Sequence, residues 1–445
     1  MDSLLERINR LDHSDLEEYG KHLMVGGGTP GPCLVKGKGI RVTDIDGRSY
    51  IDCTSQSWAL YLGYSNDEIT ETVYEHMRSN FSHIHQGFST RQRYALAEKL
   101  AAIAPKNLNR VSFTIGGGPA VEASMKIAMK NRSGAKHFIT LWDAYHGCTL
   151  TAAGASWTTT MAPGSFTGQL SFLPNVNDHF VRVPNFYCYR CYFGQKPETC
   201  NLMCAEMMRL TIAKGVIGPV AGVIVEPIQA SGGQLIAPRK YLKRVREICD
   251  EFGALLIYDE IQTYCRIGEF FAADYFDVEP DIIVLGKALG AGFPIAAIII
   301  RDDLEGFSMR AEELHTFANN SVSQIAALKQ IEIIERDNLL ENTRVVGAYL
   351  AEGLRKLGRR FPQIGEVRQA GLHIGAEMIE EDGSPLNNDA ALKIRAIAMD
   401  KGLILGTGGY AKNLLKFKPP LITTKKDADE ILAIFTDTLE TVYGR

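Results

Sequence analysis

Cysteine is scarce, with nine in 445 residues. That is too few for a disulfide-stapled fold in a chain this long, so a reducing compartment, the cytoplasm, is expected. Uninterrupted apolar runs of membrane-spanning length are missing. The most apolar stretch, residues 282–300, is broken by Gly286, Lys287, Gly290, Gly292 and Pro294. It reads as two buried strands around a glycine-rich turn rather than a membrane helix. Residues 1–19 are charged and lack an apolar core, so no signal peptide is expected. A charge excess is also missing: 48 basic against 52 acidic residues leaves a net charge of −4. No broad basic face for nucleic acid is expected from that balance. Internal repeats and low-complexity tracts are absent from the sequence.

What is present is ordinary globular material. Hydrophobic residues are 45% and charged residues 22%, which excludes wholesale disorder. A chain of 445 residues allows two or three domains, or one large domain with a satellite. Glycine, at 42 residues, exceeds the usual share of about 7%. The excess suggests tight turns and close backbone approach to something small.

Short apolar runs alternate with helical patterns from about residue 66 onward. The runs are 110–113, 137–142, 220–225, 254–258, 282–285 and 295–300, mostly β-branched and apolar on both faces. Such runs suit strands buried in a largely parallel sheet. Helical periodicity over 68–78, 92–104, 121–130 and 240–252 supplies covering helices, so the fold class is α/β. The two ends read differently. Residues 42–52 form a hairpin pattern around Asp46-Gly47. Helical patterns at 338–357, 389–401 and 426–443 mix with short strands at 364–367 and 374–378. The division expected is 1–65 and 325–445 as one smaller α+β domain, flanking a large domain over 66–324. The aperiodic stretch 156–204 is expected to be an elaborate loop or subunit-contact region.

One pair of residues carries chemistry. The run 254–258 ends in Asp259-Glu260, and the run 282–285 ends in Gly286-Lys287 followed by Ala-Leu-Gly-Ala-Gly. Ligands of open α/β sheets sit beyond the carboxyl ends of strands. A lysine placed there by glycines can form a Schiff base with a carbonyl. An acid on the neighbouring strand end can keep a cofactor pyridine nitrogen protonated, making the ring an electron sink. The plain alternative is a surface lysine and a helix-capping aspartate. Phe113-Thr-Ile-Gly116-Gly117-Gly118-Pro119 then runs from a strand into a helix. Glycine N–H groups at a helix start make an anion site, and Pro119 fits the first helical turn. The run lacks the Gly-Lys-Ser/Thr ending of a P-loop, which disfavours a nucleoside triphosphate.

Taken together, these segments resemble the class III aminotransferases, pyridoxal-5′-phosphate enzymes of the aspartate aminotransferase fold. The resemblance runs from about residue 39 to 439. It rests on DIDGRSYI at 44–51, Tyr145-His146-Gly147, Glu226-Pro-Ile-Gln229, Asp259-Glu-Ile-Gln262-Thr263, PDIIVLGKALG at 280–290 and Lys418-Pro-Pro-Leu421. It implies a large domain with a mostly parallel, seven-stranded type of sheet. It implies that Lys287 carries the cofactor as an internal aldimine, that Asp259 pairs with the ring nitrogen and that Gln262 approaches the ring hydroxyl. Gly117 and Gly118 would cradle the phosphate, Tyr145 would stack on the ring, and Glu226 would lie near the cofactor. Thr316, in His315-Thr316-Phe317, matches a threonine that reaches the phosphate from the other subunit, so a homodimer with shared sites is implied.

Departures bear on substrate. Gly118 and Pro119 replace a hydroxyl and an acid usual in the family's phosphate loop. The loop after Thr263 is one residue shorter than usual. Lys416 stands where members acting on α-amino carboxylates usually have Arg, which offers a fork where Lys offers a point charge. Ser231 replaces a glutamate of the ornithine and 4-aminobutyrate enzymes. Ser231-Gly-Gly and Asp52-Cys-Thr-Ser55 resemble dialkylglycine decarboxylase, and amino acid racemases also occur in the family. Trp58 and Tyr61 fall where the family lines the substrate pocket. The function implied is transfer of an amino group from an amino acid or amine to a keto acid. The alternatives are decarboxylating transamination, racemisation or, remotely, a zinc-stabilised binding protein. The last would use Cys188, Cys191, Cys200 and Cys204, whose spacing suits tetrahedral zinc; no metal is assigned. Gly26-Gly-Gly28-Thr-Pro-Gly31 nominally fits a dinucleotide fingerprint, but no strand precedes it and Pro30 and Pro32 oppose a following helix.

Overall fold

The computed structural model describes residues 3–24, 31–85, 87–160, 179–308 and 312–444. The Gly26–Gly31 run lies outside them except for Gly31, as does 161–178 of the aperiodic stretch. Near the N-terminus, β1 (Leu34–Lys38), β2 (Arg41–Asp44) and β3 (Ser49–Asp52) form an antiparallel meander. The β2–β3 turn is built around Asp44. Its Oδ1 accepts the N–H groups of Asp46 and Arg48 at 3.1 and 2.8 Å, and Gly47 supplies φ 83°.

The large sheet takes β4 (Leu108–Thr114), β5 (His137–Leu141), β6 (Phe180–Val183) and β7 (Val220–Val225). A small hairpin follows, β8 (Ile228–Gln229) with β9 (Leu235–Ile236). Then come β10 (Leu255–Asp259), β11 (Ile282–Leu285) and β12 (Ala296–Arg301). The seven strands lie in the order β4-β12-β11-β10-β7-β5-β6, parallel except for β12. The exception has a simple cause. The β11–β12 connection is the glycine-rich turn alone, too short for a parallel crossover. β7, β10 and β11 are buried along their whole length, which explains their unbroken apolar sequences.

Helices cover both faces. Arg239–Phe252 buries Tyr241, Leu242, Val245, Ile248 and Cys249 along one stripe. It ends on Gly253, whose φ of 61° closes the helix and turns the chain into β10. The helix Gly117–Asn131 starts earlier than its periodicity suggested, because Gly117, Gly118 and Pro119 already form its first turn.

The C-terminal part adds β13 (Ile364–Ala370), β14 (His373–Met378), β15 (Leu403–Ile404), β16 (Gly406–Gly408) and β17 (Leu414–Phe417). β13-β14-β17-β16 form an antiparallel sheet, whereas β15 pairs in parallel with β3 through Leu403↔Ile51 and Ile404↔Asp52. The two chain ends are thus joined by backbone pairing. The stretch 156–204, expected to be an elaborate loop or subunit-contact region, holds one element of the large sheet. β6 has only four residues, with Arg182 among them, and its strand character comes from pairing with β5.

Candidate active site

The carboxyl ends of adjacent strands deliver the reactive groups to one place. Asp259 closes β10, Lys287 follows β11 after Gly286, Glu226 follows β7, and Tyr145-His146 follow β5. Gly117 and Gly118 arrive from β4 by way of the helix start. Together they line a cavity of about 220 Å³ with Gln262, Ile261, Gly147 and Thr149. The sheet order explains the meeting, because β7, β10 and β11 are neighbours and Asp259 is in register with Val284.

Lys287 opens a single 3-10 turn at φ 46°, an uncommon conformation for a side chain that is not glycine. Burial lowers its amine pKa, against the opposing pull of Asp259 and Glu226. A lowered pKa enlarges the neutral, nucleophilic fraction. Asp259 is oriented from two sides. Its Oδ2 stands 2.8 Å from His146 Nδ1, and its Oδ1 accepts the Ile261 N–H at 3.2 Å. Burial opposes charge on His146, but the hydrogen bond and charge of Asp259, with Glu226, outweigh it and raise the imidazole pKa. His146 Nε2 is buried without a partner among the described residues.

Glu226 is held by the Tyr145 N–H at 2.8 Å and the Ala230 N–H at 3.2 Å. Burial pushes its pKa up to about 7, with His146 opposing and Asp259 adding to the rise. Close packing at this end of the cavity requires glycines. A Cβ on Gly117 would stand 2.9 Å from Ile261 Cδ1, and one on Gly118 would stand 2.9 Å from Thr149 Oγ1. Gly147, at φ 132°, would put a Cβ 2.9 Å from the Gly118 Cα. The helix N-cap, Gly116, offers no side-chain oxygen, so the first N–H groups are left for a guest.

Trp58, Lys416 and Lys418 form a second group. Lys416 Nζ lies 5.0 Å and Lys418 Nζ 4.3 Å from the centre of the Trp58 ring. Trp58 ends a turn, Ser55–Trp58, in which all four residues have positive φ. Such a run is strained for L-residues and is held by its surroundings. Burial lowers the Lys416 pKa to about 8, with Glu226 resisting and Lys287 assisting the fall. Ser231 joins this region through its backbone, its carbonyl accepting the Gly409 N–H at 3.0 Å.

Residues 26–439 match the family described as Aminotransferase class-III. The chain belongs to the class III aminotransferases. It is 32% identical over 412 residues to the diaminobutyrate–2-oxoglutarate aminotransferase of Rhizobium meliloti, spanning 89% of this chain and 86% of that one. It is 33% identical over 403 residues to the leucine/methionine racemase of Thermococcus litoralis, spanning 89% and 88%. Among solved structures it resembles an amine transaminase from an uncultivated Pseudomonas species in its PLP-bound form. That match has a TM-score of 0.84 at 26% identity, over 95% of this chain and 96% of that one. Class III aminotransferases are enzymes that use pyridoxal 5′-phosphate, and their fold is the one described above.

Against that family background, Lys287, Asp259, Gly117, Gly118, Tyr145, Glu226 and Gln262 meet at one cavity. Thr316 does not line it; it is exposed, in a turn beside Phe317. The four cysteines 188, 191, 200 and 204 line one small cavity of about 30 Å³. Among the described residues, however, no three His, Cys, Asp or Glu side chains are placed to hold a metal ion. Sequence reasoning missed three residues. His146 stands in the Tyr-His-Gly turn after a strand, which is a usable signal for it. Lys418 opens the Lys-Pro-Pro-Leu segment, and nothing local in the sequence marks it as buried. Gly408 lies against the Lys416 side chain, where its own Cβ would come within 2.6 Å of Nζ.

Proposed function

We propose that this chain is a pyridoxal-phosphate-dependent aminotransferase that moves an amino group from an anionic amino donor to a keto acid, as a cytoplasmic homodimer with shared sites. One observation carries the reading: the Lys287 amine and the doubly oriented Asp259 carboxylate share a cavity with an uncapped glycine cradle. The residues fit the cofactor. The helix start at Gly117 and Gly118 has no side-chain cap, which leaves its N–H groups for a phosphate, and Tyr145 offers a ring to the cavity wall.

When bound, the cofactor supplies a carbonyl for a lysine or substrate amine and a ring that accepts electron density. The chain's own groups do the rest. Lys287 would hold the cofactor through its amine and would move the proton at the substrate Cα. Asp259, fixed by His146, holds a proton at the ring nitrogen. Glu226, at about 7, stays in reach of proton exchange near neutral pH. Lys416 binds the donor's anionic group, and Trp58 and Ser231 shape the wall beside it. The diaminobutyrate enzyme among the relatives acts on a donor with a carboxylate, which supports an anionic donor here.

Thr316 is assigned to the partner's site. Its exposure beside the exposed apolar Leu314 and Phe317 supports a buried role in a dimer. A second reading, racemisation at Cα by the same residues, is favoured by the equally similar racemase relative. A donor–acceptor screen of the holoenzyme separates the two. Transamination yields a new keto acid and amino acid pair. An enantiomer formed without any keto acid gives racemisation, and release of CO₂ gives decarboxylation.

A further inference from the structure

Lys418 is the least expected charged residue in the molecule. It follows β17, is fully buried, and has no carboxylate partner among the described residues. Its backbone is pinned. The N–H donates to the Cys53 carbonyl at 2.8 Å, and its own carbonyl accepts the Ser55 hydroxyl at 2.7 Å. Lys416, Arg266 and Lys287 act on it as cations and Glu226 as an anion, and the buried imidazole of His373 also faces it, its pKa pushed well down by burial and then by Lys418, Arg266 and Lys416. Burial first, and the three cations next, hold the Lys418 amine well below the ordinary lysine range. An isolated buried ammonium is costly, so a residue in this position needs a reason beyond packing.

The amine makes one directed contact. Nζ donates to Gln262 Oε1 at 3.1 Å. Gln262 is itself buried to 6% exposure and lines the Lys287 cavity. A carboxamide has one accepting end and one donating end, and which faces the cavity is set by its neighbours. With Oε1 engaged by Lys418, the donating Nε2 is the end left for the cavity. No protein partner for Nε2 appears among the described residues, and it is not one of the buried orphaned atoms. It is therefore open to the cavity.

We propose that Lys418 is a positioning residue: by occupying Gln262 Oε1 it fixes the amide so that an N–H donor faces the cofactor cavity. The Trp58 ring, against which Nζ packs, closes the other side and keeps the amine from turning away. The inference rests on the pyridoxal-phosphate reading above and goes beyond it, because the family assignment gives Lys418 no role. The physical consequence is directional. A donor aimed at a bound chromophore favours its more negative, deprotonated form. Freeing the amide, or letting Oε1 turn inward, disfavours that form.

The test is a pH titration of the visible absorbance of the holoenzyme. Lys418→Met should raise the midpoint by roughly half to one pH unit, the range given by a single neutral hydrogen bond. Gln262→Leu should raise it to a similar degree. The double variant should show no further rise, because both changes remove the same N–H. Lys418→Arg, which still donates, should restore the parent midpoint. Lys418→Leu serves if the Met variant is not recovered as holoprotein. An unmoved midpoint in the Met or Leu variant, or additive shifts in the double variant, overturns the proposal. The two readings fail separately. Purified protein with no visible chromophore and no borohydride-reducible adduct refutes the cofactor assignment, whereas an intact chromophore with an unmoved midpoint refutes the role of Lys418 alone.

Discussion

Replacing Lys416 with methionine separates what this residue does for binding from what it costs the fold. Lys416 is 3% exposed and lies against the Trp58 ring. Burial brings its amine from the ordinary 10.5 to about 8, despite the attraction of Glu226. At about 1.4 kcal/mol per pH unit, that fall weighs on the order of 3 kcal/mol against the folded state at pH 7. The sign follows from proton counts. Between about 8 and 10.5 the unfolded chain holds the proton and the folded chain does not, so stability rises with pH across that window. Below about 8 the cost is present in full. Losing the contact with Trp58 takes back roughly 1 kcal/mol. Lys416→Met should therefore be more stable than the parent by about 2 kcal/mol at pH 7.

Binding should move the other way. One charge-assisted contact is worth about 1.5–3 kcal/mol, so KM for anionic donors should rise roughly ten- to a hundredfold. In the parent, affinity for such donors should fall above about pH 8, as Lys416 loses its charge. Lys416→Arg should remove that dependence, because arginine stays charged. Urea unfolding of the holoenzyme and initial rates across pH measure both effects. A Met variant that is less stable and keeps the parent KM refutes the reasoning.

Asp259→Asn should retain cofactor but lose at least a hundredfold in turnover, read as kcat in single-donor assays, since the amide brings no negative charge to the ring nitrogen. Gly147→Ala should weaken cofactor retention, measured as dissociation on dialysis, because φ 132° and a Cβ 2.9 Å from the Gly118 backbone disturb the cradle. Solution mass should give a dimer, and Thr316→Arg should weaken it or lower cofactor affinity; an active monomer contradicts the shared site.

Much of this fold was legible because burial on both faces writes itself into sequence. β7, β10 and β11 are continuous apolar runs, and the glycine-broken stretch between β11 and β12 was recognisable as a turn. β6 was not legible. Four residues containing Arg182 carry no period, and only the β5 edge makes them a strand. At the site, Asp259 and Lys287 could be read because strand ends fix where they point. The Tyr-His-Gly turn marks His146, but its contact with Asp259, like that of Lys418 with Gln262, could not be read, because the partners lie 113 and 156 residues away. Gly408 was invisible for the same reason. Its lack of a side chain matters only because antiparallel pairing brings β16 alongside Lys416.

The central claim is that Lys287 is the covalent anchor of this site. Borohydride reduction of the holoenzyme, followed by peptide mass mapping, tests it most directly. The account predicts a single pyridoxyl group on Lys287 and none in Lys287→Ala. A reduced adduct on Lys416 or Lys418, or its persistence in the Ala variant, would contradict it.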